Sequence, residues 1–109
     1  MARKIEFEMD GTEYTLEYSR RAQTQMESNG FVLEAIGDKP QLMIPMLFRG
    51  AFIMHHPRIK EEVVKTIYNR MTNKEELLRE LMECYSSVTD TLFDEPEDDS
   101  KKVTWRKAQ

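Results

Sequence analysis

Residues 42–54, LMIPMLFRGAFIM, carry ten apolar side chains interrupted only by Pro45, Arg49 and Gly50. A surface helix shows an apolar stripe and a polar opposite face, whereas here the apolar positions run almost all the way round, so the segment must be covered on every side. As a helix it reaches roughly 20 Å, short of a bilayer's hydrocarbon core, and Arg49 sits in its middle. A buried central helix is therefore expected, not a membrane span. Pro45 places its start near Gln41 to Ile44, or a kink there, and the firm part is expected to run to about His55. Gly50 inside it implies either a close approach by another element or a merely tolerated glycine.

The remaining chain supplies the cover. Ile5, Phe7 and Met9 alternate with polar residues, and after Asp10-Gly11 the alternation resumes with Tyr14, Leu16 and Tyr18. Asp-Gly suits a two-residue type I′ turn, which pairs Phe7 with Tyr14 and Ile5 with Leu16, sets Glu8 beside Glu13 and places Lys4 opposite Glu17. Ser19 is a helix cap for Arg20 onward, and Asn29-Gly30 is a left-handed stop. Residues 31–36 fit a helical turn or a strand, with the helical turn preferred. Pro57 fits the first turn of a helix carrying Ile59, Val63, Ile67 and Met71, in which Glu61 and Lys65 pair on the wet face. Asn73 with Glu76 reads as a capping box for a last helix presenting Leu77, Leu78, Leu81, Met82, Tyr85, Val88 and Leu92, packed antiparallel on the one before. After Phe93 come five acidic residues around Pro96 and then four basic ones, a composition that builds no core. The expected fold is α+β, mostly α: a two-stranded antiparallel hairpin packed on about four helices over 1–93, then a disordered charged tail over 94–109. Trp105 fits an unstructured tail or a small docking motif.

Chemistry is sparse. His55 and His56 are adjacent, so on a helix they point about 100° apart and are poorly placed to share a metal; His55 at a helix C-terminus suits the dipole. Cys84 is the only cysteine, on the apolar stripe of the last helix, and reads as a core thiol in a reducing cytoplasm. The N-terminal residues do not read as a signal peptide. The acidic runs lack the spacing of a calcium loop, and phosphate-loop, nucleophile-elbow and paired-cysteine patterns are missing. No catalytic residue, cofactor or metal is expected. With a net charge of −4, neither nucleic acid nor membrane is the expected partner. A small DNA-binding regulator, with residues 57–71 and 74–93 imitating a helix-turn-helix, and a metal-dependent enzyme remain as alternatives. Eight methionines, three of them in the central segment, suit either core filling or a surface that accepts varied apolar partners. The candidate partner-binding residues are Met43, Met46, Phe48, Phe52, Ile53 and Met54, the last four forming the end where exposure is expected.

Taken together, the hairpin, EYSRRAQTQMESNGF, KPQLMIPMLFRGAFIMHHPRI and the charged tail resemble small tail assembly chaperones of long-tailed phages and prophages of Gram-positive bacteria. The run from Ile44 to Phe52, followed by His55-His56-Pro57, is its most characteristic part, and the similarity spans most of residues 3–93. The resemblance implies a protein of the host cytoplasm, absent from the finished virion, that coats the hydrophobic tape measure protein and helps recruit tail tube protein. Association of its own copies fits the same picture. In many such phages a translational frameshift near the end of the gene adds a second domain, and the acidic-to-basic tail lies where that junction would fall.

Overall fold

The computed structural model describes residues 3–108; Met1 and Ala2, in the expected hairpin domain, and Gln109, in the expected tail, lie outside the described residues. Strands β1 (Ile5–Met9) and β2 (Thr12–Leu16) form the antiparallel hairpin in the expected register, Ile5 opposite Leu16 and Phe7 opposite Tyr14. Asp10 and Gly11 both adopt positive φ, 53° and 83°, as a type I′ turn requires. The Phe7 and Tyr14 rings stack at 5.1 Å. Glu8 does face Glu13, and Arg70 meets Asp10 at the turn at 2.8 Å. The pairing ends at Leu16, so Lys4 and Glu17 are not partners; Glu17 turns into the protein instead.

Four helices follow: α1 (Arg20–Ser28), α2 (Pro40–Gly50), α3 (Glu61–Arg70) and α4 (Lys74–Asp90). Ser19 caps α1 by accepting the Ala22 N–H. At its other end Gly30 takes φ +99°, Phe31 N–H reaches the Met26 carbonyl and Gly30 N–H the Glu27 carbonyl, the two bonds of a Schellman stop. Phe31 is then carried into the core, and residues 33–35 make a single 3-10 turn.

The central helix is shorter than expected and is not covered on every side: Leu42 is 62% exposed, and Arg49 is exposed as well. It begins with Pro40 in its first turn, carries Pro45 on its exposed side and stops at Gly50, not near His55. Beyond Gly50 the ladder tightens: Ala51 N–H turns to the Phe48 carbonyl, Phe52 N–H to Arg49 and Ile53 N–H to Gly50. That shift leaves the Leu47 and Ala51 carbonyls for other donors. Tyr18 Oη donates to the Leu47 carbonyl at 2.6 Å, and Glu17 N–H donates to the Ala51 carbonyl at 3.0 Å. Burial holds the Tyr18 phenol well above its ordinary pKa, so it stays a donor.

Each of α1, α3 and α4 packs on α2, so α3 and α4 do not form the expected tight antiparallel pair. Met26 of α1 lies where a Cβ on Gly50 would stand, which makes that glycine a point of close approach. Phe48 meets Tyr68 of α3 edge to face at 5.0 Å, and Tyr85 of α4 packs between Tyr18 and Phe31 at 5.3 and 5.1 Å. Gln23, buried in α1, donates to the Tyr85 carbonyl at 2.7 Å.

Four further local expectations give way. Pro57 lies in a turn closed by Ile59 N–H on the His56 carbonyl, and α3 starts only at Glu61. Glu61 pairs with Arg49 at 3.0 Å and not with Lys65, because the shortened α2 brings Arg49 to its side. Asn73 sits in the left-handed region at φ 53° and its side chain caps nothing; its carbonyl accepts the Leu77 N–H. Leu92, expected on the core face, is 63% exposed because α4 has already ended at Asp90. Residues 94–108 are exposed throughout, with a 3-10 turn at Asp99–Lys101.

Replacing Tyr18 by Phe leaves the shape of the core intact and strands the Leu47 carbonyl. The expected cost is about 1–3 kcal/mol, read as a lower urea midpoint with an unchanged slope.

Candidate partner-binding surface

The six residues singled out from the sequence divide by depth. Met43, Phe48 and Phe52 are core residues, Met46 and Ile53 are half-buried, and Met54 is exposed. The expected exposed end at Phe48 to Met54 is thus exposed only in its last residues: Phe48 and Phe52 meet each other edge to face at 5.1 Å and point inward. The Met43 sulfur accepts the Val32 N–H at 3.4 Å, which fixes it as packing beneath the 3-10 turn.

Met46, Phe52 and Ile53 nevertheless come together. They line one depression of about 530 Å³, which also takes in Met26 from α1 and Ile59 from the turn before α3. The geometry follows from the early end of α2. Had the helix continued, Ile53 would have wound on along its axis; the tightened turn instead brings Phe52, Ile53 and His56 back beside Met46 and Gly50. The Arg49–Glu61 ion pair, Gln25 and Asn29 form a polar rim. Unbranched methionine side chains at such a site can re-pack around apolar partners of different shape. On the other side of α2, Ile44, Pro45, Phe48, Val64 and Tyr68 line a second groove of about 290 Å³.

Met26 and Ile59 were missed as site residues. Met26 belongs to a short helix of mostly polar sequence, and nothing local places it against a glycine 24 positions later. Ile59 was read as an ordinary stripe position of a helix that in fact starts after it.

His56 lines the depression, and the two histidines have separate tasks. His55 Nε2 lies 2.8 Å from Oε1 of Glu17, whose side chain is almost covered; this hydrogen-bonding partner, more than a helix dipole, positions it. His56 Nε2 accepts the Thr15 N–H at 3.0 Å, stitching β2 to the turn after α2, with the Tyr14 ring 5.3 Å away. Accepting that bond requires an unprotonated Nε2. Burial, and secondarily the neighbouring His55, lower the His56 pKa from its ordinary value. Among the described residues no three His, Cys, Asp or Glu side chains are grouped to hold a metal ion. The Cys84 thiol is buried, and burial together with the Glu80 carboxylate pushes it up to about 11, so it sits in the core as a thiol and not as a thiolate. No helix among the described residues is long and apolar enough to cross a membrane.

These features define a small α+β protein in which a methionine-lined depression opens beside the central helix. Residues 1–109 match the family described as a domain of unknown function (DUF5055), and the chain belongs to that family. Comparison with curated proteins and with solved structures finds no match.

Because the folded-state pKa of His56 lies below its unfolded value near 6.5, the fold favours the neutral ring. Its contribution is complete above that value and is lost as pH falls through the lowered folded-state pKa. Stability followed by urea unfolding between about pH 8 and about pH 5 is expected to decline over this window, and His56→Ala is expected to flatten the decline. Asp10, whose pKa Arg70 holds below the ordinary carboxylate value, acts in a separate window at lower pH.

Proposed function

We propose that this protein is a tail assembly chaperone of a long-tailed phage or prophage of Gram-positive bacteria. It binds apolar helical segments of the tape measure protein in the host cytoplasm, helps recruit tail tube protein and is left out of the finished virion. The observation that carries this reading is the depression formed by Met26, Met46, Phe52, Ile53 and Ile59. All five lie in the stretches through which the sequence resembles such chaperones.

The chemistry suits the task. An apolar helix laid beside α2 would cover Met46 and Ile53 and leave its own polar face to the rim, where Arg49, Glu61, Gln25 and Asn29 accept varied sequences. One such contact is small and of modest affinity. A long tape measure offers many successive sites, so several chaperone copies can coat it and leave as tube protein polymerises. A net charge of −4 gives the coated complex mutual repulsion and keeps it from aggregating. The work is stoichiometric masking and release, without turnover of a substrate.

Co-expression of the chain with a long helical tape measure protein of a phage of this class is expected to raise the soluble fraction of that product, and the two are expected to co-purify. Met46→Asp or Ile53→Asp, in a chain whose circular dichroism is unchanged, is expected to reduce both by about tenfold or more. An insoluble, unaccompanied tape measure in the presence of the unaltered chain would end the chaperone reading.

A further inference from the structure

A third cavity lies where α4 meets the segment after α1. Its volume is about 480 Å³, and Val32 and Leu33 supply an apolar wall backed by the buried Phe31 and Tyr85. Val32 is half exposed there, and the Phe31 and Tyr85 rings meet edge to face at 5.1 Å. Three carboxylates, Glu27, Glu34 and Asp90, stand around that wall, with no lysine or arginine among the described residues that line it. None of the three makes an ion pair among the described residues. Glu27 accepts a bond from Tyr85 Oη at 3.3 Å, and the acidic surroundings, after burial, help push that phenol up to about 12. An apolar wall edged by unpaired carboxylates fits a segment that offers an apolar ring beside cations.

The chain itself carries such a segment. Val103 and Trp105 are 88% and 81% exposed, and Trp105 is followed directly by Arg106 and Lys107. Lys102 is engaged with Asp99 at 2.7 Å, whereas Arg106 and Lys107 have no ion-pair partner among the described residues. The geometry points to this Trp-Arg-Lys segment docking in the acidic cleft of a second copy of the chain, with the indole against Val32 and Leu33 and the cations against Glu34 and Asp90. A second copy is favoured over the chain's own cleft by what lies between them. Asp90 lines the cleft, and the chain leaves it through Asp94, Glu95, Glu97, Asp98 and Asp99. Folding Trp105 back onto its own cleft would turn that acidic stretch alongside Glu27, Glu34 and Asp90, where like charges repel. The capped turn at Asp98 to Lys101 carries the chain onward, and the molecule is 56 Å long against 32 and 25 Å across. Exchange between two copies makes the contact twice and closes a two-fold dimer. This interface lies away from the methionine-lined depression and stands apart from the tape measure reading.

Light scattering of the full chain from about 1 μM to about 1 mM is expected to show the mass rising from that of the 12.9 kDa chain toward twice that value, less steeply in about 1 M salt. Trp105 is the only tryptophan, so its emission is expected to shift to shorter wavelength over the same concentration range. Trp105→Ala, the pair Arg106→Glu with Lys107→Glu, and the pair Glu34→Lys with Asp90→Lys are each expected to weaken association about tenfold or more. Glu34, Asp90 and all three tail residues are exposed, so these variants keep the fold. Combining the two charge reversals is expected to restore association to within a few-fold of the unaltered chain. A mass that stays at one chain at every concentration overturns the proposal, as does association that ignores Trp105→Ala or a combined reversal no better than either alone. Blue-shifted Trp105 emission that is independent of dilution places the tail in its own cleft and overturns it equally.

Discussion

The fold depends on how the central helix ends. When the ladder of α2 tightens past Gly50, the Leu47 and Ala51 carbonyls are surrendered, and both are taken by the segment that leaves the hairpin, through Tyr18 Oη and the Glu17 N–H. A buried carbonyl without a donor is costly, so the early stop and the hairpin's position stabilise one another. Everything near the depression inherits that arrangement. Glu17, pulled inward by its backbone bond, meets His55, and Thr15, two residues earlier in β2, meets His56.

Glycine and methionine then shape the surface that results. Gly50 admits the Met26 side chain to α2, and this brings α1 close enough to form one wall of the depression. Phe48, Phe52, Tyr18, Phe31 and Tyr85 are spent on the core in two edge-to-face clusters, Tyr18 and Phe31 on Tyr85, and Phe52 and Tyr68 on Phe48. Nearer the surface along the central segment and the turn after it are Met46, Ile53, Ile59 and Met54. Charge is divided as well, carboxylates around the cleft beside α4 and free cations at the end of the tail.

Much of the fold was legible because its signals are local. The period-two alternation with Asp10-Gly11 specifies the hairpin and its register, and Ser19 and Gly30 bracket α1 with cap and stop bonds. The end of α2 was not legible, because the apolar run continues through Met54 while the donor that intercepts the Leu47 carbonyl comes from 29 residues away. The start of α3 failed for a similar reason: Pro57 is as compatible with the tight turn closed on His56 as with a helical first turn. At the candidate site, a uniformly apolar segment marked the right neighbourhood but carried no information on which of its members would be covered.

The sequence by itself determined the class of fold, the hairpin pairing, the presence of a central helix and the apolar character of the segment around it. Those properties rest on periodicity, turn chemistry and composition, which act between near neighbours in the chain. Only the tertiary structure decided that Met43, Phe48 and Phe52 lie inside while Met46 and Ile53 meet Met26 at a shared depression. It also decided that Glu17 belongs to His55 and not to Lys4. Burial of an individual side chain is set by whatever packs against it, and here those partners come from α1 and the hairpin exit, both distant in sequence, and from the turn before α3, which folds back on the segment it follows.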